Sequence, residues 1–186
     1  MSQHAMLTSK YPPSDNLYES QSREGDISLM LCHGWSTGEI EAFFEDDNGG
    51  DPVPGLDVLI DDIRAEYANL IPKASEDAQR LDTLRDALAE RNLAFSFDEG
   101  LTQSDCAEEA AEQAENDGRS GYVYCTNQDV DRVIHTGELY FGFSSVEAAE
   151  SLMEALRGVG MTPMWGGKPT ERVACEGLVV ELPLAD

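Results

Sequence analysis

The sequence predicts an α+β protein: a mixed or antiparallel sheet with helices on one face, in a ferredoxin-like arrangement, preceded by a small helical segment. Three observations predict it. Gly121-Tyr-Val-Tyr-Cys-Thr126 and Glu138-Leu-Tyr-Phe-Gly-Phe143 are aromatic and β-branched, the composition of two neighbouring strands at the middle of a sheet. Apolar residues recur at helical spacing on both sides of this pair in the chain. From residue 75 onward the patterns run helix, strand, helix, strand, strand, helix, strand, strand. Strands joined by both hairpins and helices belong to the α+β class.

Residues 1–25 contain Pro12-Pro13 and many polar side chains without apolar periodicity, and predict a flexible tail that Tyr11 and Tyr18 can pin to the body. Residues 26–72 predict a helical segment. Ile27 to His33 is a short apolar run that fits helix or strand and is read as helix, and Gly34-Trp35 is a turn. Ser36 with Glu39 forms a capping box for a helix carrying Ile40, Phe43 and Phe44. Leu56, Leu59, Ile60, Ile63, Tyr67 and Leu70 form one stripe of a longer helix that Pro72 stops. Helices around a glycine turn invite a helix-turn-helix reading. The second helix, however, carries Glu39, Glu41 and Glu45 and no Lys or Arg, so it would repel phosphates.

Residues 73–186 predict the α+β domain. Ser75 caps a helix with Leu81, Leu84 and Leu88, and Asn92 suits its left-handed exit. Leu93-Ala-Phe-Ser-Phe97 alternates as a half-buried strand. A helix faced with Cys106, Ala107, Ala110, Ala111 and Ala114 follows, small enough to approach a sheet closely. After the two aromatic strands, Ser144 and Glu147 predict another capping box, and Val146, Ala149, Leu152, Met153 and Leu156 a helix stripe. Pro163 points to an edge position for the strand at 161–165, or to a point where no ladder donor is needed. Residues 170–175 return beside it, and 178–182 read as a last strand.

At 186 residues the chain can bury roughly 70% of its unfolded surface, so its core needs no metal or disulfide staple. Its charge is unusual: 37 acidic residues face 12 basic ones, a formal net charge of −25. That field repels nucleic acid and anionic membranes. It either keeps the protein dispersed, or presents an acidic face that docks on a basic protein partner or mimics nucleic acid. No apolar run is long enough to span a bilayer, the first residues do not resemble a secretory signal, and the four cysteines show no CxxC spacing. A cytoplasmic protein with free thiols is expected.

Several motifs of the second half are similar to those of a mostly actinobacterial family known only as a domain of unknown function. They are Gly121-Tyr-Val-Tyr124, Gln128-Asp129, Leu139-Tyr-Phe-Gly-Phe143, Val159-Gly160 and Trp165-Gly166-Gly167. The resemblance extends over residues 27–175 and takes in Gly34-Trp35-Ser36. It implies a shared fold and no established activity. Many members place several cysteines before the small-residue helix, whereas this chain has only Cys106 there, which weakens any metal or redox role built on them.

Asn127, Gln128, Asp129, Asp131 and His135 follow a strand end, where functional residues often sit. A hydrolytic reading makes Asp129 a base or a metal ligand and His135 its partner. The structural reading has Gln128 and Asp129 capping a short helix or turn. Cys125 with His135 is a candidate nucleophile pair without an orienting third group. Trp165 can stack on a ligand or fill the core beside a hairpin turn. Cys32, His33, Cys106, Cys125, His135 and Cys175 lack metal-ligand spacing, so no metal and no cofactor is expected. The leading expectation is a non-enzymatic protein acting through contacts with a basic partner or with itself. The alternative is a small enzyme or ligand-binding protein with a pocket near Asp129, His135 and Trp165.

Overall fold

The computed structural model describes residues 3–17 and 22–184, and Tyr18 lies outside them. The chain divides into two compact units, a helical one formed by Gln3–Ser75 with the end of the chain from Glu181, and a sheet unit within Glu76–Val180. The two units part at Ser75, and residues 181–184 group with the first of them.

The helical unit contains α1 (Arg23–Cys32), α2 (Thr37–Asp47) and α3 (Leu56–Leu70). Ser22 caps α1 by accepting from the Gly25 N–H. Ser36 and Glu39 make the expected reciprocal box on α2. The stripes of the three helices meet in one core with Ile27, Ile40, Ile60, Ile63 and Tyr67. The expected tail takes part in it. Ala5–Thr8 forms a 3-10 turn with Met6 fully buried. The Ser14 hydroxyl donates to Asp26 at 2.6 Å, and the Ser28 hydroxyl to the Tyr11 carbonyl at 2.8 Å. Met6 supplies apolar burial that the polar composition around it concealed.

Residues 178–182 are not a strand. Their backbone groups find single partners in place of a ladder: Leu178 N–H donates to the Gly137 carbonyl, and Val179 N–H to the Asp77 carboxylate. Within the helical unit, Ser75 N–H donates to the Glu181 carbonyl at 2.9 Å, Glu181 N–H to the Ser75 hydroxyl at 3.0 Å, and the Tyr67 phenol to the Leu182 carbonyl at 2.8 Å.

The sheet unit runs α4 (Glu76–Glu90), β1 (Leu93–Phe97), α5 (Gln103–Asn116), β2 (Gly121–Cys125), α6 (Asn127–Thr136), β3 (Leu139–Phe143), α7 (Val146–Gly158), β4 (Pro163–Met164) and β5 (Val173–Cys175). The strand order is β1-β2-β3-β5-β4; β1 and β2 are parallel and the other neighbours antiparallel. This is an α+β fold with a five-stranded mixed sheet. The two aromatic strands lie side by side as expected, with Val123 opposite Phe143 and Tyr124 opposite Gly142. Pro163 sits on the edge strand β4.

Two features depart from expectation. A ferredoxin-like unit runs β-α-β-β-α-β; here a helix separates β2 from β3 as well, and the first pair is parallel. Helices also cover both faces. Leu93, Phe95, Val123, Leu139, Phe141, Val173 and Cys175 point to one face and pack on Leu84, Leu88, Leu152 and Leu156 of α4 and α7. Because side chains alternate along a strand, Tyr122 and Tyr124 point to the other face, where Cys106 and Ala110 of α5 meet them. The parallel β1–β2 pair requires a crossover, and α5 is that crossover. A smaller correction concerns α7: its cap is Ser145, which accepts from Ala148 N–H. Ser144 instead accepts from Tyr122 N–H at 3.1 Å.

Candidate functional site

Alternation and register build one row across the tyrosine face. Ser96 lies opposite Tyr124, and Tyr124 opposite Gly142. Continuing the β3–β5 register one residue past Phe141 and Val173 brings Arg172 opposite Gly142. Gly142 leaves the space that the Tyr124 ring occupies; a Cβ there would overlap the ring. The Arg172 guanidinium lies 5.8 Å from the centre of the Tyr124 ring and 5.9 Å from that of Tyr140. Such positions over ring faces favour a cation.

Asp129 meets this guanidinium from α6. Thr126 caps the helix, and Asp129 at the third position completes a reciprocal box. One Asp129 oxygen accepts from Thr126 N–H at 2.8 Å and from the Thr126 hydroxyl at 2.9 Å. Arg172 clamps both oxygens with its two terminal nitrogens, Nη1 at 2.9 Å, and Nη2 also donates to the Tyr140 carbonyl at 2.9 Å. Asp129 is only 4% exposed. Burial works against the Arg172 charge, but the Asp129 hydrogen bonds and charge outweigh it and hold the guanidinium above its ordinary pKa. Among the described residues, Arg172 Nε is a buried donor without a hydrogen-bond acceptor.

The other candidate residues do not converge on Asp129. His135 is six residues further along α6, which at 1.5 Å rise and 3.6 residues per turn places it about 9 Å away along the axis and on a different side. Cys125 is fully buried on the opposite face, and burial, then the Asp129 charge, pushes its thiol well above the ordinary range. A protonated, enclosed thiol is a poor nucleophile. Trp165 packs edge-on against Phe143 at 5.6 Å, on the face away from the tyrosines, and its indole N–H donates to the Lys168 and Glu171 carbonyls at 3.1 Å. Gln128 is exposed, while Asn127 donates to the Asp98 carbonyl at 2.8 Å and carboxylate at 2.7 Å. Among the described residues no three His, Cys, Asp or Glu side chains form a metal-holding group, and no helix is long and apolar enough to cross a membrane. A concavity of about 360 Å³ belongs to the helical unit, lined by residues including Lys10, Tyr11, Ser14 and Glu24.

Sequence reasoning missed Arg172 and the tyrosine face. One signal was available: Thr126-Asn-Gln-Asp129 has capping-box spacing directly after a strand, which buries the carboxylate and creates a need for a counter-charge. Nothing local to Arg172 marks it as the partner, 43 residues away.

A family model described as "Domain of unknown function (DUF6891)" matches residues 61–180, from within α3 to the end of the sheet unit. No curated protein and no solved structure matches the chain.

Proposed function

We propose that this chain, which belongs to the DUF6891 family, works without catalysing a reaction, by binding a basic protein partner through its acidic helical surface. The observation that carries the reading is the state of Asp129. As the carboxylate best placed to act as a base, it is already engaged by Thr126 and clamped at both oxygens by Arg172. Proton abstraction would require breaking that clamp. The surface supports the same conclusion. On α5, Asp105, Glu108, Glu109, Glu112 and Glu115 are exposed and no Lys or Arg belongs to the helix. Such a face attracts a basic protein and repels nucleic acid and anionic lipid. Cys106, Cys125 and Cys175 are buried thiols outside any disulfide, which suits a reducing, cytoplasmic setting. Self-association is the variant in which the partner is another copy.

The competing reading, a ligand-binding protein near Asp129, is supported by one observation, the buried Arg172 Nε–H without an acceptor. Affinity capture from the native host, followed by mass spectrometry at low and high salt, separates the two. Recovery of a basic protein at low salt and its release at high salt is expected. Recovery of no protein, together with a small molecule co-purifying with wild type and lost from Asp129→Asn, would overturn the proposal.

A further inference from the structure

We infer that the exposed Phe43 of α2, backed by the half-buried Trp35, docks an arginine-rich extended segment of the partner, an inference that rests on the basic-partner reading and adds to it a place and a recognition chemistry. Two local features of α2 work against the stability of the helix. Phe43 is 39% exposed and is the only exposed aromatic residue among the described residues. The last turn of α2 carries Glu45, Asp46 and Asp47 and no basic residue, so three carboxylates sit at the negative end of the helix dipole. Each opposes that dipole. Residues that break local rules without a structural gain mark functional surface.

The two features share one face. Residues three and four apart are neighbours on a helix, so Glu39, Phe43, Asp46 and Asp47 form one stripe. Trp35 stands edge-on to Phe43 at 5.9 Å, and Phe43 edge-on to Phe44 at 5.3 Å, so Phe43 joins the other two rings in one cluster. The Ser36 backbone N–H, then its hydroxyl, hold the Glu39 carboxyl below its ordinary pKa, so it stays charged. The cluster already receives a guanidinium: Arg23 lies 5.9 Å from the centre of the Phe44 ring. The one exposed ring of the cluster, Phe43, bordered by carboxylates, suits arginine, whose planar cation stacks and pairs at once, better than lysine.

The test is fluorescence anisotropy of a labelled arginine-glycine dodecapeptide at low ionic strength, with lysine-glycine and leucine-rich peptides as controls. Four forms of the full chain are compared: wild type, Phe43→Leu, Phe43→Tyr, and the α5 triple variant Glu108→Gln, Glu112→Gln, Glu115→Gln. Circular dichroism verifies the fold of each, and Phe43→Leu keeps the apolar contact while removing the ring. The expected result is arginine-peptide binding weakened about fivefold or more in Phe43→Leu, restored in Phe43→Tyr, and weakened less in the α5 variant than in Phe43→Leu. Loss in the α5 variant with none in Phe43→Leu would overturn this inference and leave the basic-partner reading standing. Equal binding of the leucine-rich peptide would overturn it. So would concentration-dependent self-association abolished by Phe43→Leu, because the occupant would then be a second copy. Absence of arginine-peptide binding would overturn it too, and host capture would then decide the broader reading on its own.

Discussion

The two faces of the sheet are closed in different ways. One is sealed by bulk: Phe95, Phe141, Leu139 and Val173 pack under the leucines of α4 and α7, and nearly every contact is apolar. The other is sealed by pairing. There α5 brings only small residues, Cys106 and Ala110, and beyond them Tyr124, Tyr140, Asp129 and Arg172 interlock through hydrogen bonds and ring contacts. Apolar packing is tolerant of shape and supplies most of the stability. A buried ion pair adds little net stability but penalises any arrangement that leaves one charge alone. The first face holds the sheet together, and the second specifies how β5 and α6 register against β3.

Breaking each face separately tests that division. Phe141→Ala on the apolar face should cost about 3–5 kcal/mol in urea unfolding, through lost transfer and a cavity. Phe141 is fully buried, with the Phe95 ring centre 6.2 Å away. Arg172→Met on the paired face should cost about 3 kcal/mol, because it leaves Asp129 buried and charged. The decisive measurement is the double variant. Asp129→Asn keeps an acceptor for Thr126 but removes the charge, so Arg172→Met combined with Asp129→Asn should be more stable than Arg172→Met alone. If the two effects simply add, the pair does not specify anything. Gly142→Ala comes next, at about 1–3 kcal/mol, since the added methyl overlaps the Tyr124 ring and overpacking carries such a penalty.

How far these faces could be read from the chain follows from the same physics. The apolar face was legible: periodicity at Leu84, Leu88, Leu152 and Leu156 and alternation in 93–97 and 139–143 report burial directly, because the signal lies within each element. The capping residues Ser36 and Glu39 were legible for the same reason. Asp129 was legible as a cap, whereas Arg172 was not, since pairing across 43 residues leaves no local mark. The second helical face escaped notice because the tyrosines of β2 alternate with Val123 and Cys125, so the strand reads as uniformly apolar and does not say which side α5 takes. Met6 was hidden by its surroundings: one buried residue in a polar stretch makes no period. The strand expected at 178–182 failed in the opposite way. Leu178-Val-Val has strand composition, but Gly177 with φ of 74° turns the chain away from the sheet, and the following amide N–H groups bond to Gly137 and Asp77.

The smallest expected effect is in the thiols, and it again compares the faces. Cys106 lies on the paired face, and burial followed by the charges of Glu109, Asp129 and Asp105 raises its pKa to about 11. Cys175 lies on the apolar face, where burial, then Asp77, raises it to about 12. Both begin from an ordinary value of 9.0. The folded state therefore holds each proton more tightly than the unfolded chain does. Stability from these thiols is fully present below pH about 9 and declines as the pH rises toward 11 for Cys106 and 12 for Cys175, because the unfolded chain ionises first. In a Cys32→Ser background, iodoacetamide at pH 8 should react slowly with all three remaining thiols. On raising the pH, mass spectrometry of peptides should find Cys106 modified before Cys175. The reverse order would mean that the tyrosine face excludes water better than the leucine face, and the contrast drawn between pairing and bulk would have to be inverted.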